Sequence, residues 1–278
     1  MNATSQYLIQ TIDNKNLIAT EANNVAEYPW HSVCKGRYCG KTPVVIKKRV
    51  HLNTPNEEDA CLLFLHNLTN QETMSHPFIL QSFGIFTDVN QTLSHVTACP
   101  EKGSLKELLT KEILDLNTKI DILTKIAMAV SHLHNQPLPI AHGKLQAKSV
   151  WITHDYQPKL TEFEFSCKFS GGFRPMGSCL AWSAPEALTA INQCTEKADV
   201  YSFAILMIEV MDPRPRPYPK FTKSLTAKIA AGEVRPEITN HDEWPHELLK
   251  LVTECWASNP DDRPSFNAIV ARLNMMIL

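Results

Sequence analysis

Two short runs hold the side chains of this chain best suited to handling a metal or a proton. The first is His142-Gly143-Lys144-Leu145-Gln146-Ala147-Lys148-Ser149-Val150, which gathers an imidazole, ammonium groups and a hydroxyl. The second is Glu162-Phe163-Glu164, which sets two carboxylates either side of one aromatic ring. Magnesium takes oxygen ligands, carboxylates above all, so Glu162 could touch a metal. An ammonium offers donors and no acceptor, so Lys144 cannot receive a proton as a carboxylate would. A further ammonium, Lys47, closes the apolar run Val44-Val45-Ile46.

The elements that must position these groups change character along the chain. The first part is β-rich. Val44 to Lys47, Ile79 to Phe86 and Leu93 to Thr97 read as strands, with a polar-capped stretch from about Pro55 to Thr73 between the first two. Asn56-Glu57-Glu58-Asp59 puts acids at the start of that stretch, where a helix dipole favours them. From about Ser104 the period becomes helical. Leu123, Ile126, Ala127, Val130 and Leu133 predict a one-faced helix. Val200, Phe203, Leu206, Met207 and Val210 have apolar neighbours on other faces and predict a helix buried all round. Phe266, Ile269, Val270 and Leu273 predict an amphipathic helix after Arg263-Pro264. The fold class expected is α+β and bilobal, with residues 1–24 an N-terminal extension, 25–99 a β-rich lobe and 100–278 a helical lobe.

Length and composition set outer bounds. At 278 residues with 44% hydrophobic content, the chain can bury a core. A net charge of -2 with scattered lysines and arginines gives no electrostatic reason to expect nucleic acid or an acidic membrane as partner. The longest apolar run, Tyr201 to Met211, is about half a membrane span and contains Glu209. The N-terminus lacks the pattern of a signal peptide, so the sequons at Asn2, Asn67 and Asn90 carry no weight. The 8 cysteines form no C-x-x-C pair, and reduced thiols in the cytoplasm are expected.

The order of several short motifs resembles the protein-kinase family over roughly residues 25 to 276. Val44-Val45-Ile46-Lys47 resembles V-A-I-K, and His76-Pro77 precedes the next strand. Glu101-Lys102-Gly103-Ser104-Leu105 follows the hinge, His142 opens the catalytic loop, and Phe163 holds the D-F-G position. Ala184-Pro185-Glu186, Asp199-Val200-Tyr201-Ser202-Phe203 and Asn259-Pro260-Asp261-Asp262-Arg263-Pro264 complete the set. The resemblance implies structural roles for His142, Phe163 and Asp199, and a structural ion pair between Glu186 and Arg263.

It also implies that the transfer chemistry has been altered part by part. Lys144 stands for the catalytic aspartate, Ser149 for the metal-holding asparagine, and Glu162 for the metal-holding aspartate. Counting back from His76-Pro77, the glutamate that should hold Lys47 is Asn67, and Lys47 is expected to turn to Glu162 instead. The phosphate loop should lie around Ala26 to His31, where no glycine occurs and Pro29 removes an N–H. The adenine slot is expected to be narrowed by Val45, Thr97, Pro100 and Trp151, with Pro100 lacking the N–H that should face the base. Glu164 replaces a glycine whose freedom would let the segment flip. These expectations amount to no cofactor, no bound metal, no useful ATP affinity and no enzyme activity.

The pairing of His142-Gly143-Lys144 with Phe163-Glu164 is similar to the pseudokinase domain of the mixed lineage kinase domain-like family. Val33 to Tyr38 and Thr153 to Leu160 also look like that family. Its cellular members carry an N-terminal four-helix bundle and execute necroptosis after phosphorylation by receptor-interacting protein kinase 3. Met1 falls about 25 residues before the kinase frame, and Ser166, Ser170 and Ser178 remain in the activation segment, without a cluster of paired phosphosites. The chain is therefore most similar to the truncated poxvirus-encoded copies. The resemblance implies a cytoplasmic decoy, monomeric when unbound, that binds host receptor-interacting protein kinase 3, sequesters it and inhibits necroptosis. Surfaces near the helix from residue 56 and the activation segment would form the interface, with Phe173-Arg174 and Tyr218 as candidate contacts. The alternatives are a fragment of a cellular necroptosis executioner, a residual or unconventional kinase, and a scaffold with another partner.

Overall fold

The computed structural model describes residues 11–19, 26–27, 31–49, 74–88, 90, 92–169, 180–189, 195–212, 217–218, 222–239 and 241–277. The stretch expected to be helical before Thr73, with Asn67 in it, lies outside the described residues. So do Pro29, Ser170, Phe173, Arg174 and Ser178. The chain divides into two compact units, one of residues 1–75 and 80–99, the other of 76–79 and 100–278.

The first unit is an antiparallel sheet. Its strands are β1 (Leu17–Ala19), β2 (Ala26–Glu27), β3 (His31–Tyr38), β4 (Thr42–Arg49), β5 (Ser82–Thr87) and β6 (Leu93–Ala98). The order is β1-β3-β4-β6-β5, with β2 also paired to β3. β4 is the central strand, and Val44, Val45 and Ile46 are all buried, Val44 and Ile46 on the core face and Val45 on the other. Ile12, Val44, Ile46 and Val96 form the core, with Leu17, Cys34, Tyr38, Phe83 and Phe86 packed on it. Gly36 is required where β1 crosses β3, since a Cβ there would lie 2.8 Å from the Ile18 carbonyl. The expected strand from Ile79 begins later, at Ser82, because Ile79 N–H donates to His76 O in a turn at 3.0 Å. β2 occupies the start of the expected phosphate loop and pairs Ala26 with Val33.

One buried group makes this unit acid-sensitive. His95 on β6 is fully buried, with Nε2 2.8 Å from Ser82 Oγ and Nδ1 without a hydrogen bond. Burial first, and then the charge of its cross-strand neighbour Lys47, push its pKa down to about 3. An unfolded chain takes up that proton near the ordinary value of 6.5. The unfolded state therefore binds more protons below pH 6.5, and stability declines from there to about pH 3. Urea midpoints measured across that range will fall with pH in the wild type, and the His95→Phe variant will show a shallower slope.

The second unit is mainly helical. Ser104 starts α1 (Leu105–Lys111) with a capping box, its hydroxyl accepting from Glu107 N–H while Glu107 accepts from Ser104 N–H. Asp115 caps α2 (Leu116–His134), whose apolar face from Ile120 to Leu133 is buried as the periodicity predicts. α3 (Pro185–Thr189), α4 (Glu196–Met211), α5 (Lys223–Ala230), α6 (His246–Cys255) and α7 (Phe266–Asn274) follow. α4 is buried on every face from Asp199 to Val210, again as expected. α7 packs on α2, with Ser131 Oγ 2.6 Å from Asn267 Oδ1 and the His134 and Phe266 rings edge to face at 5.1 Å. Among the described residues no helix is long and apolar enough to cross a membrane. Short ladders sit among these helices: β7 (Ile140–Ala141) with β10 (Cys167–Lys168), and β8 (Val150–Ile152) with β9 (Pro158–Leu160).

Two expectations need correction here. Cys167 is disulfide-bonded, while Cys34, Cys39, Cys99 and Cys255 are in no disulfide. Cysteine spacing could not reveal this, because a disulfide depends on Cα separation in space. Tyr218 is 5% exposed and lies beside Tyr201, so it is a core residue and not a surface contact.

Candidate functional site

The loop from His142 to Ser149 is pinned from below by α4. The buried Asp199 carboxylate accepts His142 N–H at 2.7 Å and Gly143 N–H at 2.9 Å, and lies 2.9 Å from His134 Nε2. Burial alone would raise this carboxyl, but the hydrogen bond and charge of His134, with the hydrogen bond from Gly143 N–H, outweigh it, and the pKa ends below the usual range. Gly143 has φ +73°, and a Cβ there would lie 2.4 Å from Phe165 O, so only glycine fits. The His142 ring is neutral, its pKa lowered by burial. Its Nδ1 accepts from Lys144 N–H at 3.2 Å and its Nε2 lies 2.9 Å from Thr161 O, which together assign the Nε2–H tautomer. Phe163 meets this ring edge to face at 4.9 Å.

At the centre of the site Lys144, Glu162 and Glu164 meet in a buried charge cluster. Lys144 Nζ hydrogen-bonds Glu164 Oε1 at 2.5 Å. It also makes an ion-pair contact with Glu162 Oε2 at 3.1 Å that falls short of a hydrogen bond. These side chains are 6%, 4% and 9% exposed respectively, so water does little to screen them. The Phe165 ring lies 5.0 Å from the same ammonium. Glu162 adopts φ 67°, ψ 55°, a left-handed conformation costing a non-glycine residue about 1–2 kcal/mol. The positive φ thus falls on Glu162, while Glu164 sits in a 3-10 turn over Phe163–Phe165.

The remaining expected positions are placed as follows. Ser149 Oγ is turned into its own loop, donating toward Lys144 O at 2.7 Å and Gln146 O at 2.9 Å. Trp151 lies half-buried on β8, opposite Lys159, and is bridged to Ser104. In the β unit, Val45 and Thr97 are buried cross-strand partners, Lys47 is buried on β4, and β6 ends at Ala98. Pro100 opens the helical unit, its carbonyl accepting from Gly103 N–H at 3.4 Å. Ser166, named as an activation-segment hydroxyl, is fully buried and donates to Phe163 O at 2.6 Å. Glu186 and Arg263 form the expected pair, with two bonds of 2.6 and 2.9 Å. Arg263 is 1% exposed and also donates to Ala257 O and Lys197 O.

Sequence reasoning missed two features. Lys144 was read only as a lost aspartate, yet it is the cation standing against Glu162 and Glu164. The signal was there in the charges: an acid-to-base change in one run and an added acid in the other. Glu209 was read only as an interruption of an apolar run. Its buried carboxylate accepts Ala147 N–H and Trp182 Nε1–H, each at 2.9 Å, and lies 3.5 Å from Lys106 Nζ. Burial raises its pKa against these partners. It ties the catalytic-loop backbone to the residues before Ala184-Pro185-Glu186.

The sequence matches the protein tyrosine and serine/threonine kinase family over residues 20–273. The chain belongs to that family. Its fold is the bilobal α+β protein-kinase fold, with a β-rich lobe and a helical lobe. A probable serine/threonine-protein kinase, drkC of Dictyostelium discoideum, is 30% identical over 84% of this chain and 31% of the relative. Serine/threonine-protein kinase 12 of Arabidopsis thaliana is 29% identical over 88% of this chain and 55% of the relative. Serine/threonine-protein kinase TNNI3K of Homo sapiens is 28% identical over 87% of this chain and 29% of the relative. The kinase domain described here thus spans less than two thirds of each, from 29% to 55%. These names correct the expectation that the chain is not an enzyme: its curated relatives are kinases, and residue losses read from one sequence do not outweigh that membership. The magnesium that such kinases use does not fit the side chains as they stand. Lys144 holds Glu162 and Glu164, and Ser149 faces backbone carbonyls.

Proposed function

We propose that this kinase domain works by docking on host receptor-interacting protein kinase 3, competing there with the cellular mixed lineage kinase domain-like protein and restraining necroptosis. One observation carries the reading. The residues behind that resemblance, Lys144 in one run and Glu164 in the other, are bonded to each other in a buried site. The two residues come from separate runs yet meet in one buried contact, so what resembles that pseudokinase group is a single folded charge pair, and this supports the reading. The reading concerns binding and holds with or without phosphoryl transfer. Its test is co-purification of the tagged full chain with receptor-interacting protein kinase 3 from cells primed for necroptosis. Recovery of that kinase together with reduced cell death supports it. Unchanged death with no kinase recovered refutes it.

A second reading follows from the names of the relatives, transfer of phosphate to protein serine or threonine. The acceptor carboxylates nearest the catalytic-loop lysine would then be Glu162 and Glu164. Incubation of purified chain with labelled ATP, magnesium and protein substrates decides it.

A further inference from the structure

The chain leaves the β unit for residues 76–79, which belong to the helical unit, and returns to the β unit at Leu80. Side chains and backbone of the helical unit hold this strap. The His76 ring stacks on the His132 ring of α2, with centroids 4.9 Å apart. Lys159 Nζ on β9 donates to Pro77 O at 2.6 Å, and Leu160 N–H donates to Phe78 O at 2.8 Å. Phe78 N–H donates to the His76 ring at Nδ1, 3.2 Å away, so the ring also shapes the turn it belongs to.

We propose that His76 is a proton-operated catch: while neutral it fastens residues 76–79 to α2 and β9, and on taking a proton it releases them. The argument starts from the acceptor role of Nδ1. Accepting a hydrogen bond uses its lone pair, so the neutral ring carries its proton on Nε2. A second proton must go on Nδ1, where it would face the Phe78 N–H, donor against donor. The same step puts positive charge beside the Lys159 ammonium and the stacked His132 ring. Lys125, the other cation of α2 near the strap, lies 5.9 Å from the Phe78 ring centre and is paired with Asp121 at 2.6 Å. Burial, His132 and Lys159 all act to lower the His76 pKa below its ordinary 6.5. The released strap therefore protonates first, and attachment weakens as pH falls through 6.5.

Long-range proton–nitrogen NMR of the full chain, with amide hydrogen exchange at Ile79 and Leu160, tests this. Near neutral pH, His76 will show the Nε2–H tautomer. Between pH about 7.5 and about 5.5, protection of the Leu160 amide, corrected for intrinsic rates, will fall several-fold. In a His76→Asn variant the amide carbonyl can still accept from Phe78 N–H but takes no proton, so protection will stay flat with pH. An Nδ1–H tautomer at neutral pH overturns the proposal, as does equal loss of protection in both proteins. If the variant does not fold, titration of the wild-type ring decides alone: a midpoint at or above that of an ordinary imidazole overturns it.

Discussion

Replacing Lys144 by methionine will destabilise the helical unit by about 3–5 kcal/mol, the usual cost of leaving buried carboxylates without their cation. Two acids lose this ammonium at once, because both Glu162 and Glu164 lie against it. Methionine keeps most of the lysine stem, so the loss is of charge and hydrogen bonding more than of packing. The triple variant Lys144→Met, Glu162→Gln, Glu164→Gln will recover most of that stability, since neutral amides need no cation. Glu164→Gln alone will cost less than Lys144→Met, because Glu162 still balances the ammonium. Urea unfolding of the single and combined variants checks the set. Additive effects across the cycle would mean that the three residues do not act as one cluster. The cluster also offsets the left-handed backbone of Glu162, so Lys144→Met should loosen the turn at Phe163–Phe165 and raise amide exchange at Ser166.

An Arg263→Ala variant will be at least as damaging, again about 3–5 kcal/mol. The guanidinium is 1% exposed and holds Glu186 with two bonds while donating to carbonyls at Ala257 and Lys197. It also lies 5.3 Å from the Tyr201 ring centre. Truncation strands the Glu186 carboxylate and several backbone acceptors together. Arg263→Lys will recover only part of the loss, because a point-like ammonium cannot present the planar fork that meets both carboxylate oxygens. Thermal unfolding ranks the variants: wild type above Lys above Ala. A lysine variant as stable as the wild type would show that charge alone sufficed.

Much of this architecture could be read from side-chain period, and the exceptions have physical causes. The helix over Leu123 to Leu133 and the all-round apolar helix from Val200 were legible because burial on one face, or on all, leaves a direct pattern in sequence. The pair of Glu186 and Arg263 was legible because both residues sit in short motifs that share one fold. Ile79 was misjudged because an isoleucine after Pro77 looks like strand, whereas a turn closed onto His76 decides its place. Lys144 was half-read. The missing carboxylate was evident, but its new partners follow only once Gly143 and Asp199 fix where the loop lies against Phe165. Glu209 and the bonded state of Cys167 depend wholly on contacts between distant segments, which no local pattern encodes. The step from lost catalytic residues to lost activity failed for a different reason: it inferred an absence from substitutions, and family membership does not support it.

The most direct test of the docking account is a competition measurement with purified components. A labelled pseudokinase domain of the cellular mixed lineage kinase domain-like protein is bound to receptor-interacting protein kinase 3, and the full chain described here is titrated in. The account predicts saturable displacement of the label. Unchanged label at concentrations far above those at which the unlabelled cellular domain displaces it would contradict the account.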